Sequence, residues 1–75
     1  QLAYDALEKG GNAPCVLNAA NEVVVDGFLK DKVGFLQMSD IIADTLQKCT
    51  FVKNPSLEDY IASDAEARRL TKDNI

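Results

Sequence analysis

The stretch that decides the fold is Ala13-Pro14-Cys15-Val16-Leu17-Asn18-Ala19-Ala20-Asn21-Glu22-Val23-Val24-Val25-Asp26-Gly27-Phe28-Leu29. Its apolar positions Ala13, Val16, Leu17, Ala20, Val24, Gly27 and Phe28 recur at spacings of three and four, the helical period. At about 100° per residue they fill, together with Val23, one continuous arc. Pro14 falls in the first turn, where its missing N–H costs nothing and its fixed φ favours a start. The opposite side holds Asn18, Asn21, Glu22 and Asp26, yet Val25 and Leu29 share it. A helix apolar on one side and mixed on the other is touched from both. The stretch therefore reads as the central helix of a small bundle.

Ahead of it, residues 2 to 9 read as a short helix with Leu2, Ala3, Ala6 and Leu7 as the buried stripe. Gly10-Gly11 ends that helix in left-handed geometry, and Asn12 is the natural N-cap of the next. Nothing ahead of Gln1 caps the first helix, which suggests a chain cut from something longer. Behind the central helix, Lys30-Asp31-Lys32 closes it, with lysines at the negative end of the dipole. Val33-Gly34-Phe35-Leu36 is a connector whose Phe35 and Leu36 are expected to plug the end of the bundle. Ser39 is expected to cap a helix through about residue 49, with Met38, Ile41, Ile42, Thr45, Leu46 and Cys49 as its stripe. Residues 50 to 55 form a loop, with Phe51 and Val52 tucked inward.

Ser56-Leu57-Glu58-Asp59 is a capping box with Asp in place of the usual Glu. It opens one helix from about 57 to 72, with Leu57, Tyr60, Ile61, Ala65 and Leu70 as a weaker stripe. Glu66 to Arg69 and Asp73 read as a solvated outer face, and Ser63 to Glu66 offers a second capping box that would kink the helix. Four helices joined by short loops predict an all-α fold, a small antiparallel four-helix bundle.

Composition narrows the function. Seventy-five residues at 47% hydrophobic suit one small globular domain near the lower limit of self-sufficiency. Twelve acidic against eight basic residues, a net charge of −4, argues against nucleic acid as a partner. No run approaches the ~18 apolar residues of a membrane span. Cys15 and Cys49 are far apart and the chain has no histidine, so there is no zinc pattern. A disulfide between them is conceivable, but small secreted scaffolds carry several bridges. The reading is two reduced thiols in or near the core.

Catalytic chemistry finds no foothold. A hydrolase triad needs a base, usually His. Tyr4, Tyr60 and the lysines are not gathered with a nucleophile, and Gly10-Gly11 lacks the G-x-G-x-x-G spacing and a preceding strand. Carboxylates for Mg²⁺ or Mn²⁺ arrive from several segments, whereas Asn18, Glu22 and Asp26 are only i, i+4 neighbours on one helix. No residue is assigned to catalysis, cofactor or metal. An acyl or peptidyl carrier domain fits by size and charge, but its motif is Asp-Ser-Leu and the triplet here is Met38-Ser39-Asp40. Ser39 is better explained as a cap, and a stand-alone helical interaction domain is the other alternative.

Leu17-Asn18-Ala19-Ala20-Asn21-Glu22, with Ala3-Tyr4-Asp5-Ala6-Leu7 and Gly10-Gly11-Asn12-Ala13-Pro14 ahead, resembles the C-terminal domain of the 1-deoxy-D-xylulose 5-phosphate reductoisomerases. The resemblance continues in order through Phe28-Leu29, Val33-Gly34-Phe35, Ser56 to Asp59 and Asp64 to Arg68. Cys15, in a small-residue position, and Gly27, where the family often has alanine, are departures. The resemblance implies that residues 1–75 are the C-terminal helical domain of a larger homodimeric, NADPH- and Mg²⁺- or Mn²⁺-dependent enzyme of the non-mevalonate isoprenoid pathway. It implies that the domain packs on the catalytic domain of the same chain, in a bacterial cytoplasm or a plastid. The family's metal, substrate and cofactor motifs have no counterpart in these residues, so the piece alone is expected to be inactive and to bind neither cofactor.

Val25 and Leu29 need cover, which a loop over Gly34 to Met38 or Thr50 to Asn54 would supply. At least one of Asn18 and Asn21 is then expected to hydrogen-bond loop backbone. Glu22 is left to the surface or the missing catalytic domain.

Overall fold

The structure, a computed structural model, describes residues 2–75. The missing cap ahead of Gln1 lies outside them. Four α-helices and one 3₁₀ turn follow in order: α1 (Leu2–Lys9), α2 (Ala13–Leu29), the turn Phe35–Gln37, α3 (Met38–Lys48) and α4 (Leu57–Asp73). The described residues form an all-α bundle with no strand. Val16 packs with Cys49, while Ala20 and Val24 pack with Ile42, so α2 and α3 run antiparallel. Thr45 meets Thr71 and Cys49 meets Glu66, so α3 and α4 do likewise. Two reversals leave α2 and α4 parallel, with Asn12 opposite Ser63 near one end and Gly27 under Ile75 at the other.

The seam between α2 and α4 is built from small side chains. Ala19 and Ala67 are completely buried, and Val16 nearly so. Small residues let helix backbones approach closely, so buried area is gained by proximity rather than by large side chains. On α4 the buried positions are Ser63, Ala67 and Thr71, at i, i+4 and i+8, with Leu70 packed beside them. The expected stripe is thereby corrected: Leu57, Tyr60, Ile61 and Ala65 face outward. Ala67 is buried rather than part of a solvated face, and the helix runs through Ser63 without a break. Its capping box forms as expected, with the Asp59 N–H donating to Ser56 Oγ at 3.2 Å and the Ser56 N–H to Asp59 Oδ2 at 3.0 Å.

Thr45 and Thr71 are both fully buried, with their hydroxyl oxygens 3.0 Å apart. Each also reaches a carbonyl of its own helix, Ile41 O at 3.0 Å and Ala67 O at 2.7 Å. A hydroxyl has one proton, so one threonine shares its proton between carbonyl and partner. No buried side-chain nitrogen or oxygen among the described residues is left without a partner.

Helix ends confirm some expectations and overturn one. Gly10 and Gly11 both take positive φ, and a Cβ on Gly11 would collide with the Val52 carbonyl oxygen. After α2, the Lys32 N–H reaches Gly27 O at 2.8 Å and the Asp31 N–H reaches Phe28 O at 3.1 Å, a Schellman closure with Asp31 at φ 60°. Ser39 is not a cap. The Gly34 N–H donates to Gln37 Oε1 and the Gln37 N–H to Gly34 O, both at 3.0 Å, so the helical run starts at Gly34 and enters α3 without pause. Ser39 already lies inside α3, exposed.

Phe35 and Leu36 do not plug the bundle; Leu36 is 87% exposed and Phe35 only meets the edge of Phe28. Val33 takes that place, buried over Gly27. On α1 only Ala6 is buried; Leu2 and Leu17 are half-buried against Ala20, Val24 and Ile42, while Ala3 and Leu7 face outward. Val52 is half-buried as expected, but Phe51 lies open with Lys9 Nζ 4.5 Å above its ring.

Candidate functional site

Three features could carry function: a buried amide, a thiol–carboxylate pair, and an outward face of α2. Asn12 is only 1% exposed and occupies the N-cap position of α2, but it makes no cap bond. Gly11 brings the 50–52 loop against the helix start, and the side chain of Asn12 is spent on that loop. Its Nδ2 donates to Thr50 O and Ser63 Oγ, both at 2.8 Å. Its Oδ1 accepts the Val52 N–H at 2.9 Å, while its own N–H donates to Val52 O at 3.0 Å. The amide that serves loop backbone is therefore Asn12, not Asn18 or Asn21. Asn18 donates to Glu22 Oε2 at 3.0 Å, and the Asn21 side chain makes no hydrogen bond among the described residues.

The same loop is held from α4. Glu66 accepts the Thr50 N–H at 2.8 Å and the Cys49 thiol at 3.0 Å. Those two bonds, the thiol first, hold its carboxyl below the ordinary value. Burial, then the facing carboxylate, pushes the Cys49 thiol up to about 12. Both cysteines are free, and burial followed by the Asp64 charge raises Cys15 as well. A thiol kept protonated is a poor nucleophile and a poor metal ligand. This pair ties a loop rather than performing chemistry. Nothing in the periodicity pointed to Glu66; for Asn12, the signal was its place directly after two glycines.

Glu22 is bridged by Arg68 Nη2 at 3.4 Å, and Arg68 Nε reaches Asp64 Oδ2 at 2.9 Å. Among the described residues, no three Cys, Asp or Glu side chains converge as metal ligands would. No helix among them is long and apolar enough to cross a membrane.

The outward face of α2 is the remaining candidate. Val25 and Leu29 stay uncovered, because the 3₁₀ turn reaches only Phe28 and the 50–54 loop crosses the other end at Gly11. Next to them an open groove runs between α1, α2 and α3, lined by Leu7, Pro14, Leu17, Asn21, Ser39 and Ile42. Its walls are uncharged and mostly apolar, with Asn18, Asn21 and Ser39 as the polar members. Such a surface suits burial against another apolar surface, not a reaction.

Comparison with known proteins agrees with that geometry. Residues 1–70 match the family described as DXP reductoisomerase C-terminal domain. The chain is 61% identical over 69 residues to the 1-deoxy-D-xylulose 5-phosphate reductoisomerase of Phocaeicola vulgatus, covering 92% of this chain and 18% of that protein. It is 53% identical over 74 residues to that of Bacteroides fragilis, covering 99% and 19%. For that of Ralstonia nicotianae the identity is 47% over 68 residues, covering 91% and 17%. The chain thus spans less than a fifth of the length of the curated relatives it matches. Matched over residues 1–70, the chain belongs to the family of DXP reductoisomerase C-terminal domains.

Proposed function

We propose that residues 1–75 form a supporting domain of a reductoisomerase that converts 1-deoxy-D-xylulose 5-phosphate to 2-C-methyl-D-erythritol 4-phosphate in isoprenoid biosynthesis. The chemistry lies in the rest of that polypeptide. The observation that carries this reading is the match of nearly the whole chain to a C-terminal domain. The side chains support it: Glu22, Asp64 and Glu66 are committed to Arg68, Cys49 and Thr50. The residues present do not fit a divalent metal, since no ligand set converges among those described. They do not fit NADPH either, because the described residues include no strand and so no glycine-rich strand-to-helix turn to hold a pyrophosphate. On this reading no catalytic, cofactor or metal role falls on any residue of this chain. Mg²⁺ or Mn²⁺ and NADPH are held elsewhere, in a homodimer of the cytoplasm or plastid.

The domain's contribution is mechanical: a site held in place by a packed neighbour keeps its geometry through the reaction. Titrating the chain with NADPH while following nucleotide fluorescence tests the reading. No saturable change is expected up to millimolar nucleotide, and saturation in the micromolar range would overturn it.

A further inference from the structure

We infer that the outward face of α2, together with the groove beside α1, is where this domain seats on the polypeptide that precedes it in the full-length enzyme. This rests on the supporting role proposed above and deepens it by naming the surface. Leu17, Asn21, Val25, Phe28 and Leu29 follow one helical stripe on the side of α2 turned away from α4. Leu29 is 74% exposed and Leu7, across the groove on α1, 70%. Phe28 carries the face on to Phe35. A stripe of this length with no charge along its centre is what an interface core looks like before its partner arrives.

The occupant follows from the relatives' length, the place of Leu2 and the character of the competing surfaces. The relatives carry more than four-fifths of their length outside the match, and the match is to their C-terminal part. Their preceding polypeptide joins ahead of α1, and Leu2 lines the groove itself, so that polypeptide is delivered to the rim of this face. The outer sides of α3 and α4 carry the ion pairs Lys48–Asp44 and Arg69–Asp73, which cost desolvation to bury, whereas on α2 Glu22 and the Lys30–Asp26 pair border the apolar stripe rather than interrupt it. The rival apolar stripe, Leu57 with Ile61 on α4, is short and leads directly to Asp64 and Arg68. Asn21, unpaired in the midst of the α2 stripe, supplies a donor and an acceptor for partner backbone.

The test uses the full-length enzyme with Val25→Glu, Leu29→Glu and, as the control on α4, Ile61→Glu. All three side chains are exposed within the domain, so the domain itself tolerates the charge. On the α2 face the charge must be desolvated against the partner. Release of the intact domain by limited proteolysis should therefore accelerate on the order of tenfold or more in both α2 variants, with a lower thermal midpoint, and Ile61→Glu should match wild type. Release by Ile61→Glu but not by Leu29→Glu would move the seat to α4 and overturn the inference. Dissociation of a dimer by Leu29→Glu, with the domain still protected, would show that a second copy covers the face and would also overturn it. Deletion of the domain separates the two readings. If deletion leaves turnover and thermal midpoint unchanged, the supporting role itself falls. If deletion is damaging while Leu29→Glu is silent, only the assignment of this face falls.

Discussion

The α2–α4 seam and the α1 side of the same central helix are built from opposite materials. The seam uses Val16, Ala19, Ala67 and Ser63, with side chains so small that the helices close completely and the buried Ser63 hydroxyl finds its partner in Asn12. The α1 side uses Leu7, Leu17, Phe28 and Leu29, large side chains that the chain leaves half or wholly open. Size is thus a poor guide to which surface holds the domain together. Between α2 and α4 small residues mark where this chain meets itself, while on the opposite side of α2 the large ones stay open.

Asn12→Ala should produce the largest loss, since it empties a fully enclosed position and strands Thr50 O, Val52 N–H and Ser63 Oγ together. About 3 kcal/mol or more is expected in a urea melt, from the cost of buried groups left without partners. Ala67→Leu attacks the seam by overfilling it and should cost about 1–3 kcal/mol. A neutral result would mean that the seam is looser than its zero exposure indicates. On the open side Leu17→Ala should cost less, about 1–2 kcal/mol, because a half-buried leucine leaves a dent rather than a cavity.

The tie between loop and seam should show in pH. The Glu66 carboxyl lies below its ordinary value of 4.5 when folded, so its stabilisation is present above pH 4.5 and is lost as pH falls through the lower folded value. The Cys49 thiol is raised from 9.0 to about 12, so its contribution is complete below pH 9.0 and is lost between there and about 12. Cys49→Ala should flatten the alkaline side of a stability–pH curve and Glu66→Gln the acid side. The smallest effects belong to the exposed residues: Leu7→Ala and Ser39→Ala should each shift stability by less than about 0.5 kcal/mol.

The contrast also explains what could be read from the chain. Gly10-Gly11, the Ser56–Asp59 box and the period of residues 13–29 announce themselves, because each is a local device with local chemistry. The family was legible by a different route, the resemblance of Leu17 to Glu22 and of the stretches in order around it. The buried face of α4 was not. Leu57, Tyr60, Ile61 and Ala65 keep a helical period, yet Ser63, Ala67 and Thr71 are what goes inside. Periodicity finds apolar positions but does not say which of them the rest of the chain will cover. Ser39 failed as a cap because Gly34 and Gln37 had already started the helix one turn earlier. Asn12 was placed correctly at the helix start, but its side chain answers to a loop some forty residues away.

Hydroxyl-radical footprinting of the full-length enzyme beside the 75-residue chain tests the division between these two surfaces most directly. The account predicts that Leu7, Phe28 and Leu29 become strongly protected in the full-length protein, while Leu57 and Ile61 label equally in both. Equal labelling of Leu7, Phe28 and Leu29 in the two proteins would contradict it.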